Sequence, residues 1–153
     1  MAQNSFRMHK GKWVLREHTI PTSAGAIEVG DLIMGTSGGV TVALGTSTST
    51  FIIGIAAEDL ANDGSNTQTL RVWEPTNRTC EMRGAVTTGA IAVGDTDSGR
   101  GCDLATHEGV AADVDTHHHL TIVKGTIATS DGSVTAGEGI FRIAQGVENI
   151  SAF

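Results

Sequence analysis

The sequence has no tyrosine, only two prolines and two cysteines, and no long hydrophobic run. The longest apolar stretch, residues 51–57, includes Gly54 and is far shorter than the roughly 20 residues that a membrane-spanning helix needs. The charged N-terminus is not followed by an apolar segment, so we predict no signal peptide. We therefore expect no membrane partner, and a protein that is made in a reducing cytosol.

The scarcity of cysteine and of aromatic residues argues against several kinds of functional site. Cys80 and Cys102 are too far apart for a CxxC motif and too few for a disulfide framework, and they could pair only if the fold brings them together. Six aromatic side chains are few to line a ligand pocket. The chain also contains no P-loop, dinucleotide fingerprint or zinc-binding helix motif. We expect no enzymatic activity and no cofactor.

Glycine and threonine are abundant, with 20 of each in 153 residues. Threonine favours extended backbone and glycine marks turns, so we predict one all-β domain, a small β-sandwich or barrel of short strands. The predicted strands are 12–20, 26–29, 32–35, 40–44, 50–57, 69–73, 79–82, 85–87, 119–123, 125–128 and 139–143. Turns are predicted at 37–39, 62–66 and 131–132, and residues 56–61 could form one helical turn.

One phrase occurs twice. Residues 25–31 read GAIEVGD, and residues 89–95, 64 positions later, read GAIAVGD, so six of the seven positions are identical. The alternation that ends in Gly-Asp predicts a short strand running into a tight turn. The repeat therefore predicts a small β-framework built from two related halves.

Charge is distributed unevenly along the chain. Residues 1–16 carry four basic and no acidic side chains, whereas residues 17–153 carry six basic and 17 acidic ones, a net charge of −11. We predict a basic N-terminal arm, 1–16, followed by a single β-rich domain, 17–153. Residues 1–11 are expected to be disordered by themselves, and the domain is expected to fold without the arm. Such an arm favours an acidic partner surface; four charges on an acidic body fit nucleic acid poorly.

Three short motifs could carry chemistry, and each has a simpler interpretation. Residues 35–39 match G-x-S-x-G but precede a strand rather than a helix, which favours a turn. Asp95, Asp97 and Asp103 could form an irregular calcium site, although the EF-hand pattern fails at Gly99 and Thr106. Three histidines, His117 to His119, follow two aspartates. His117 and His119 could share a face and bind a metal in an oligomer, but a polar strand entry is favoured, and we predict no metal site.

The order of several segments resembles the head-decoration, or capsid cement, proteins of tailed bacteriophages. The resemblance spans most of residues 12–143 and is carried by residues 29–32, 53–59, 69–73, 79–82, 93–95, 102–104 and 120–123. The 95–101 loop and the histidine run depart from the family pattern. The resemblance implies a body of the β-tulip kind and a homotrimer on the outer surface of an expanded capsid, assembled in the bacterial host's cytoplasm.

In that family an N-terminal arm commonly docks on the shell. The resemblance therefore implies that the major capsid protein is bound by Arg7, Lys10, Lys12, Trp13 and Arg16. The function would be to clamp neighbouring shell subunits against internal DNA pressure. Three alternatives remain open at this point: another β-rich virion component of the tail or neck, a soluble ligand-binding β-barrel, and, third, a metal-dependent hydrolase that would use the 117–119 histidines.

Overall fold

The computed structural model describes residues 6–20, 25–35, 41–47, 52–61, 68–127 and 137–144. These residues form strands joined by turns and contain no helix, which confirms the prediction of an all-β, sandwich- or barrel-like fold. The strands are β1 (Arg7–Lys10), β2 (Trp13–Ile20), β3 (Leu32–Gly35), β4 (Val42–Leu44), β5 (Ile52–Ala56), β6 (Gln68–Pro75), β7 (Glu81–Thr88), β8 (Gly101–Thr106), β9 (Gly109–Ala111), β10 (Leu120–Ile127) and β11 (Gly137–Ile143).

The strands form two sheets, and each sheet returns on itself. One sheet has the order β2-β6-β5-β3-β4, and a parallel bridge between Thr19 and Thr41 links its two ends. The other has the order β1-β7-β11-β10-β8-β9, and β9 pairs in parallel with β7. Along β7, Met82 pairs with both β1 and β11, whereas Val86 pairs with both β11 and β9. β1 and β9 therefore occupy successive parts of one edge of β7.

The two halves of the chain share one topology. In each half the first strand pairs with the fifth, the fifth with the fourth, the fourth with the second and the second with the third, and the third returns to the first in parallel. β2 to β6 form the first half and β7 to β11 form the second. β1 is an addition to the second sheet. The related halves predicted from the repeat are thus present in the fold.

The repeated phrase lies between the first and second strands of each half. Gly30 and Gly94 have φ values of 95° and 93°, a region that glycine adopts without steric cost. Their amides donate to carbonyls on the fourth strand of the same half, those of Ala56 and Gly125, at 3.0 and 2.9 Å. The predicted turn is correct. The predicted strand is wrong, because the phrase makes only isolated bridges: its carbonyls and amides bond to the fourth strand and the segment next to it.

Each half has its own apolar cluster, and the second cluster also holds the halves together. The first contains Ile20, Ile27, Ile33, Val42, Ile53, Ala56, Leu70 and Val72. The second, centred on β7 to β11, also includes Leu32, Ile52 and Ile55 from the first half. Burial of an isoleucine contributes about 1.5–3 kcal/mol, so these three side chains make the contact between the halves a substantial stabilising interface.

Most of the predicted strands are found in the fold. β3 has the predicted bounds, and β2, β4, β5, β6 and β11 differ from prediction at their ends. Residues 81–82 and 85–87, predicted as parts of two strands, belong to one strand, β7. Residues 120–123 and 125–127 likewise belong to one strand, β10, and residue 128 lies outside the described residues. Prediction missed β1, β8 and β9. The helical turn at 56–61 is wrong, because Leu60 instead exchanges backbone hydrogen bonds with Ile27.

Some predictions fall outside the described residues: the turns at 37–39, 62–66 and 131–132, and residues 36–39 of the G-x-S-x-G match. Within the described ranges, no helix has the length and apolar character needed to cross a bilayer.

Cys80 and Cys102 are both buried, and neither forms a disulfide. Desolvation raises the pKa of the Cys102 thiol to about 12, so this thiol is not a nucleophile near neutral pH.

Candidate functional site

The N-terminal segment is built into the body from Phe6 onward. Phe6 is 2% exposed in the second apolar cluster, and its amide donates to the carbonyl of Gly30 at 2.9 Å. Residues 7–10 then pair with β7, and all four of their side chains are exposed. The expectation that residues 1–11 are disordered by themselves is therefore wrong for residues 6–11. A buried aromatic anchor and a strand pairing fix this segment on the surface.

The predicted boundary between arm and domain, at residues 16 and 17, falls inside β2. Trp13 to Arg16 pair with Pro75 to Val72 on β6, in the same unbroken register as the rest of the strand. Deletion of residues 1–16 would remove Phe6, β1 and half of β2. We therefore no longer expect that deletion to leave the body intact, and substitutions are the better test of this surface.

The turn between β1 and β2 is fixed by close backbone contacts. Gly11 has φ of 93°, and a Cβ at this position would lie 2.8 Å from the Cys80 sulfur. The carbonyl of Lys12 accepts hydrogen bonds from the amide and hydroxyl of Thr76, at 3.1 and 2.8 Å. The indole of Trp13 donates to the carbonyl of Lys10 at 3.1 Å. Lys10 and Lys12 are thus held on either side of a rigid corner.

This corner forms one wall of an open groove of about 470 Å³, which we call the basic groove. It is lined by Met8, His9, Lys10, Gly11, Lys12, Trp13 and Trp73. Both tryptophans are partly buried against the second apolar cluster. Two indoles beside two lysines give an amphipathic surface, and tryptophan is enriched at the centres of protein interfaces.

The basic side chains of the segment differ in their pairing. Arg7 lies 3.6 Å from Glu138 and Arg16 lies 4.0 Å from Glu74, so acidic groups of the body partly neutralise both. Within the described part of the chain, no ion pair involves Lys10 or Lys12. The uncompensated positive charge of this surface is therefore concentrated at the basic groove.

β1 also presents an open strand edge. It stands at the end of its sheet, and among the described strands only β7 pairs with it. A short edge with basic side chains resists random association, yet its free backbone groups can accept an added strand.

The histidine run forms a second polar site, organised by Asp103. This carboxylate is 2% exposed and accepts hydrogen bonds from the amides of Thr116, His117 and His118 at 2.8–3.1 Å. Desolvation raises the pKa of Asp103, but the bonds from the backbone and ring of His117 and from the amides of His118 and Thr116 outweigh it and lower the pKa. His118 has φ of 51°, strained for a residue other than glycine. The carboxylate holds this turn in place.

The rings of His117 and His119 stack with centroids 5.3 Å apart and planes 3° apart, so they do share a face. His119 is fully buried, and its Nδ1 accepts the amide of Leu104 at 3.0 Å. The Nδ1 of His117 lies 3.2 Å from the Asp103 carboxylate. The imidazoles of His117 and His119 therefore each use one nitrogen in a contact that supports the fold. In the described part of the chain, the three consecutive histidines do not form a group with metal-ligand spacing.

The aspartates considered for calcium are also used by the fold. Asp97 accepts the amide of Ala92 at 2.9 Å and lies 3.3 Å from Arg100, whereas Asp95 is exposed and Asp103 organises the histidine turn. In the described ranges, these three side chains do not form a group with metal-ligand spacing.

The structure brings together Lys10, Lys12 and Trp13 of the five predicted arm residues, and leaves Arg7 and Arg16 on the flanking strand surfaces. Sequence reasoning missed Trp73, Met8 and His9 in the groove. Trp73 is opposite Leu15 in the β2–β6 register, a pairing that no local pattern reveals.

Comparisons with protein-family models, with curated proteins and with solved structures found no match.

Proposed function

We propose that the chain is a structural virion protein that binds the outside of an expanded bacteriophage capsid and clamps neighbouring major capsid subunits. The observation that supports this proposal most is the basic groove, a preformed amphipathic surface on an otherwise acidic protein. The proposed role is mechanical and needs no catalytic group or cofactor.

The charge distribution supports an acidic shell surface as the partner. Lys10 and Lys12 form no ion pair in the described part of the chain, and residues 17–153 are strongly acidic. Glu81 lies opposite Lys10 in the β1–β7 register but pairs with Arg142. An acidic shell would attract the groove and repel the other faces, which orients the protein as it approaches. Trp13 and Trp73 would then supply the apolar contact that slows dissociation.

The fixed position of β1 changes the mechanism expected for docking. A disordered arm would lose conformational entropy on binding, whereas a strand already paired with β7 loses little. Its open edge can accept a strand of the shell protein. Three copies in a homotrimer would multiply this modest contact through avidity and join the subunits around a threefold position.

Charge reversal of the groove should abolish attachment to capsids. We expect the double variant Lys10→Glu, Lys12→Glu to keep its fold. Its affinity for expanded heads that lack the protein should fall about 100-fold or more, because both favourable charges become repulsive. The loss is multiplied when three copies bind together as a trimer. Co-sedimentation with purified heads measures the affinity, and circular dichroism checks the fold.

Lys124→Glu is the matched control, because Lys124 is exposed on β10, outside the groove. It should bind as the unmodified protein does. Binding of the unmodified protein should also weaken as salt rises. Undiminished binding by the folded double variant would contradict the proposal.

A further inference from the structure

A set of metal-ligating side chains lies where the two halves of the chain meet. A carboxylate oxygen of Asp31, a ring nitrogen of His107 and a carboxylate oxygen of Glu108 all lie within 4.8 Å of one another. Asp31 ends the first copy of the repeated phrase, and the other two residues form the turn between β8 and β9. The amide of Leu32 donates to the carbonyl of His107 at 2.9 Å, which fixes that turn against the first half.

Asp31 provides an independent observation that points to a ligand at this position. The residue is 1% exposed, and its Oδ2 accepts the amide of Glu28 at 2.9 Å. Among the residues that the structure describes, its Oδ1 is buried and has no hydrogen-bond partner. A buried carboxylate oxygen without a partner costs free energy, and native proteins rarely leave one unless a water or an ion satisfies it.

The surroundings of Asp31 favour a cation. Among the described residues, no lysine or arginine forms an ion pair with Asp31 or Glu108. The two carboxylates carry a charge of −2 when both are ionised, which a divalent ion would neutralise.

We propose that Asp31, His107 and Glu108 bind one divalent first-row transition-metal ion, such as Zn²⁺, that links the two halves of the fold. An imidazole with two carboxylates suits Zn²⁺ better than Ca²⁺ or Mg²⁺, which prefer sites made only of oxygen ligands. Bonds of about 2.0 Å in tetrahedral geometry place ligand atoms about 3.3 Å apart, so the side chains must close in slightly. His107 and Glu108 are partly exposed on a turn and can make that adjustment.

The second half offers an internal control. Asp95 occupies the position of Asp31 in the second copy of the phrase, but it is exposed and belongs to no metal-ligand group in the described ranges. The repeat therefore supplies the same local sequence without the site. The proposal does not depend on the capsid function.

The test is calorimetric titration of the full chain with ZnCl₂ after removal of metals by chelation. We expect saturable binding of one ion per chain, and a loss of about tenfold or more in affinity for both His107→Ala and Glu108→Gln. These two changes lie on a surface turn, so the variants should fold, unlike a variant at the buried Asp31. Asp95→Asn should bind as the unmodified protein does.

Thermal unfolding gives a second readout. Free Zn²⁺ at about 100 times its dissociation constant should shift the folding equilibrium of the unmodified protein about 100-fold, and should shift those of the two turn variants much less. Three results would overturn the proposal: no saturable Zn²⁺ binding up to about 1 mM, affinity unchanged in both turn variants, or selective binding of Ca²⁺ in place of Zn²⁺.

Discussion

Replacement of Ile53 by aspartate is expected to unfold the protein. Ile53 is 7% exposed on β5 and packs in the first apolar cluster with Ile33 of β3 and Leu70 of β6. A carboxylate at this position would be buried without a partner, at a cost above about 4 kcal/mol, which is comparable to the whole stability, about 5 kcal/mol, of a marginally stable domain. Urea unfolding followed by circular dichroism measures the loss.

Two variants separate burial of charge from the effect of any substitution. Val93→Asp places the same charge on a side chain that is 60% exposed, so it should cost less than about 1 kcal/mol. Ile53→Val keeps the site apolar and should cost about 1 kcal/mol. A soluble Ile53→Asp variant that unfolds cooperatively at the normal urea concentration would mean that the core has been assigned incorrectly.

Removal of the Asp103 carboxylate should produce the second large loss of stability. Asp103→Ala leaves the amides of Thr116, His117 and His118 without their acceptor, and we expect a loss of about 3 kcal/mol. Asp103→Asn should lose less, because its amide oxygen can still accept. Asp95→Asn, at an exposed aspartate, should lie within about 0.5 kcal/mol of the unmodified protein.

The contribution of Asp103 should also depend on pH. Its pKa in the folded protein is lowered from the ordinary value of 3.8. The stabilisation of the fold by the ionised Asp103 carboxylate is therefore fully present at pH values above 3.8. It is lost as pH falls through the lower pKa that Asp103 has in the folded protein. The stability difference between the unmodified protein and Asp103→Asn should be constant at neutral pH and narrow in acid. Urea unfolding over a pH series measures it, and a difference that widens in acid would contradict this account.

The strands of the fold were largely predictable because they are short, rich in threonine and apolar residues, and separated by glycine. β3 and β5 illustrate this, since their residues are apolar and turn residues precede them. The repeated phrase also predicted the two related halves, although its own conformation is set by hydrogen bonds to the fourth strand of each half. The local sequence pattern could not show that the backbone carbonyls and amides of the repeated phrase would make isolated bridges around a turn instead of the continuous hydrogen bonding of a strand.

The N-terminal segment shows where sequence reasoning failed. Apart from Met8, residues 7–10 are basic or polar and have no alternating apolar face, so nothing local predicts β1. Its position depends on burial of Phe6 and on the free edge of β7, which are both tertiary features. The fold places Lys10, Lys12 and Trp13 together in the basic groove, and their role in binding a capsid stays a prediction.

The proposed metal site could not have been found by local reading. Asp31 is separated from His107 and Glu108 by about half of the chain, and no motif spacing links them. By contrast, the histidine run and the aspartates at 95 and 97 were considered as metal sites because they are close together in the sequence. In the fold, the Asp103 carboxylate accepts backbone amides of the histidine turn and Asp97 accepts the amide of Ala92, whereas Asp95 is exposed.

The most direct test of the proposed function is the copy number of this chain in particles purified from its source. Quantitative mass spectrometry against the most abundant shell protein gives the ratio. The proposed role predicts about one copy per shell subunit, because a clamp must act at every repeated contact of the shell. A few copies per particle, or none, would contradict capsid decoration.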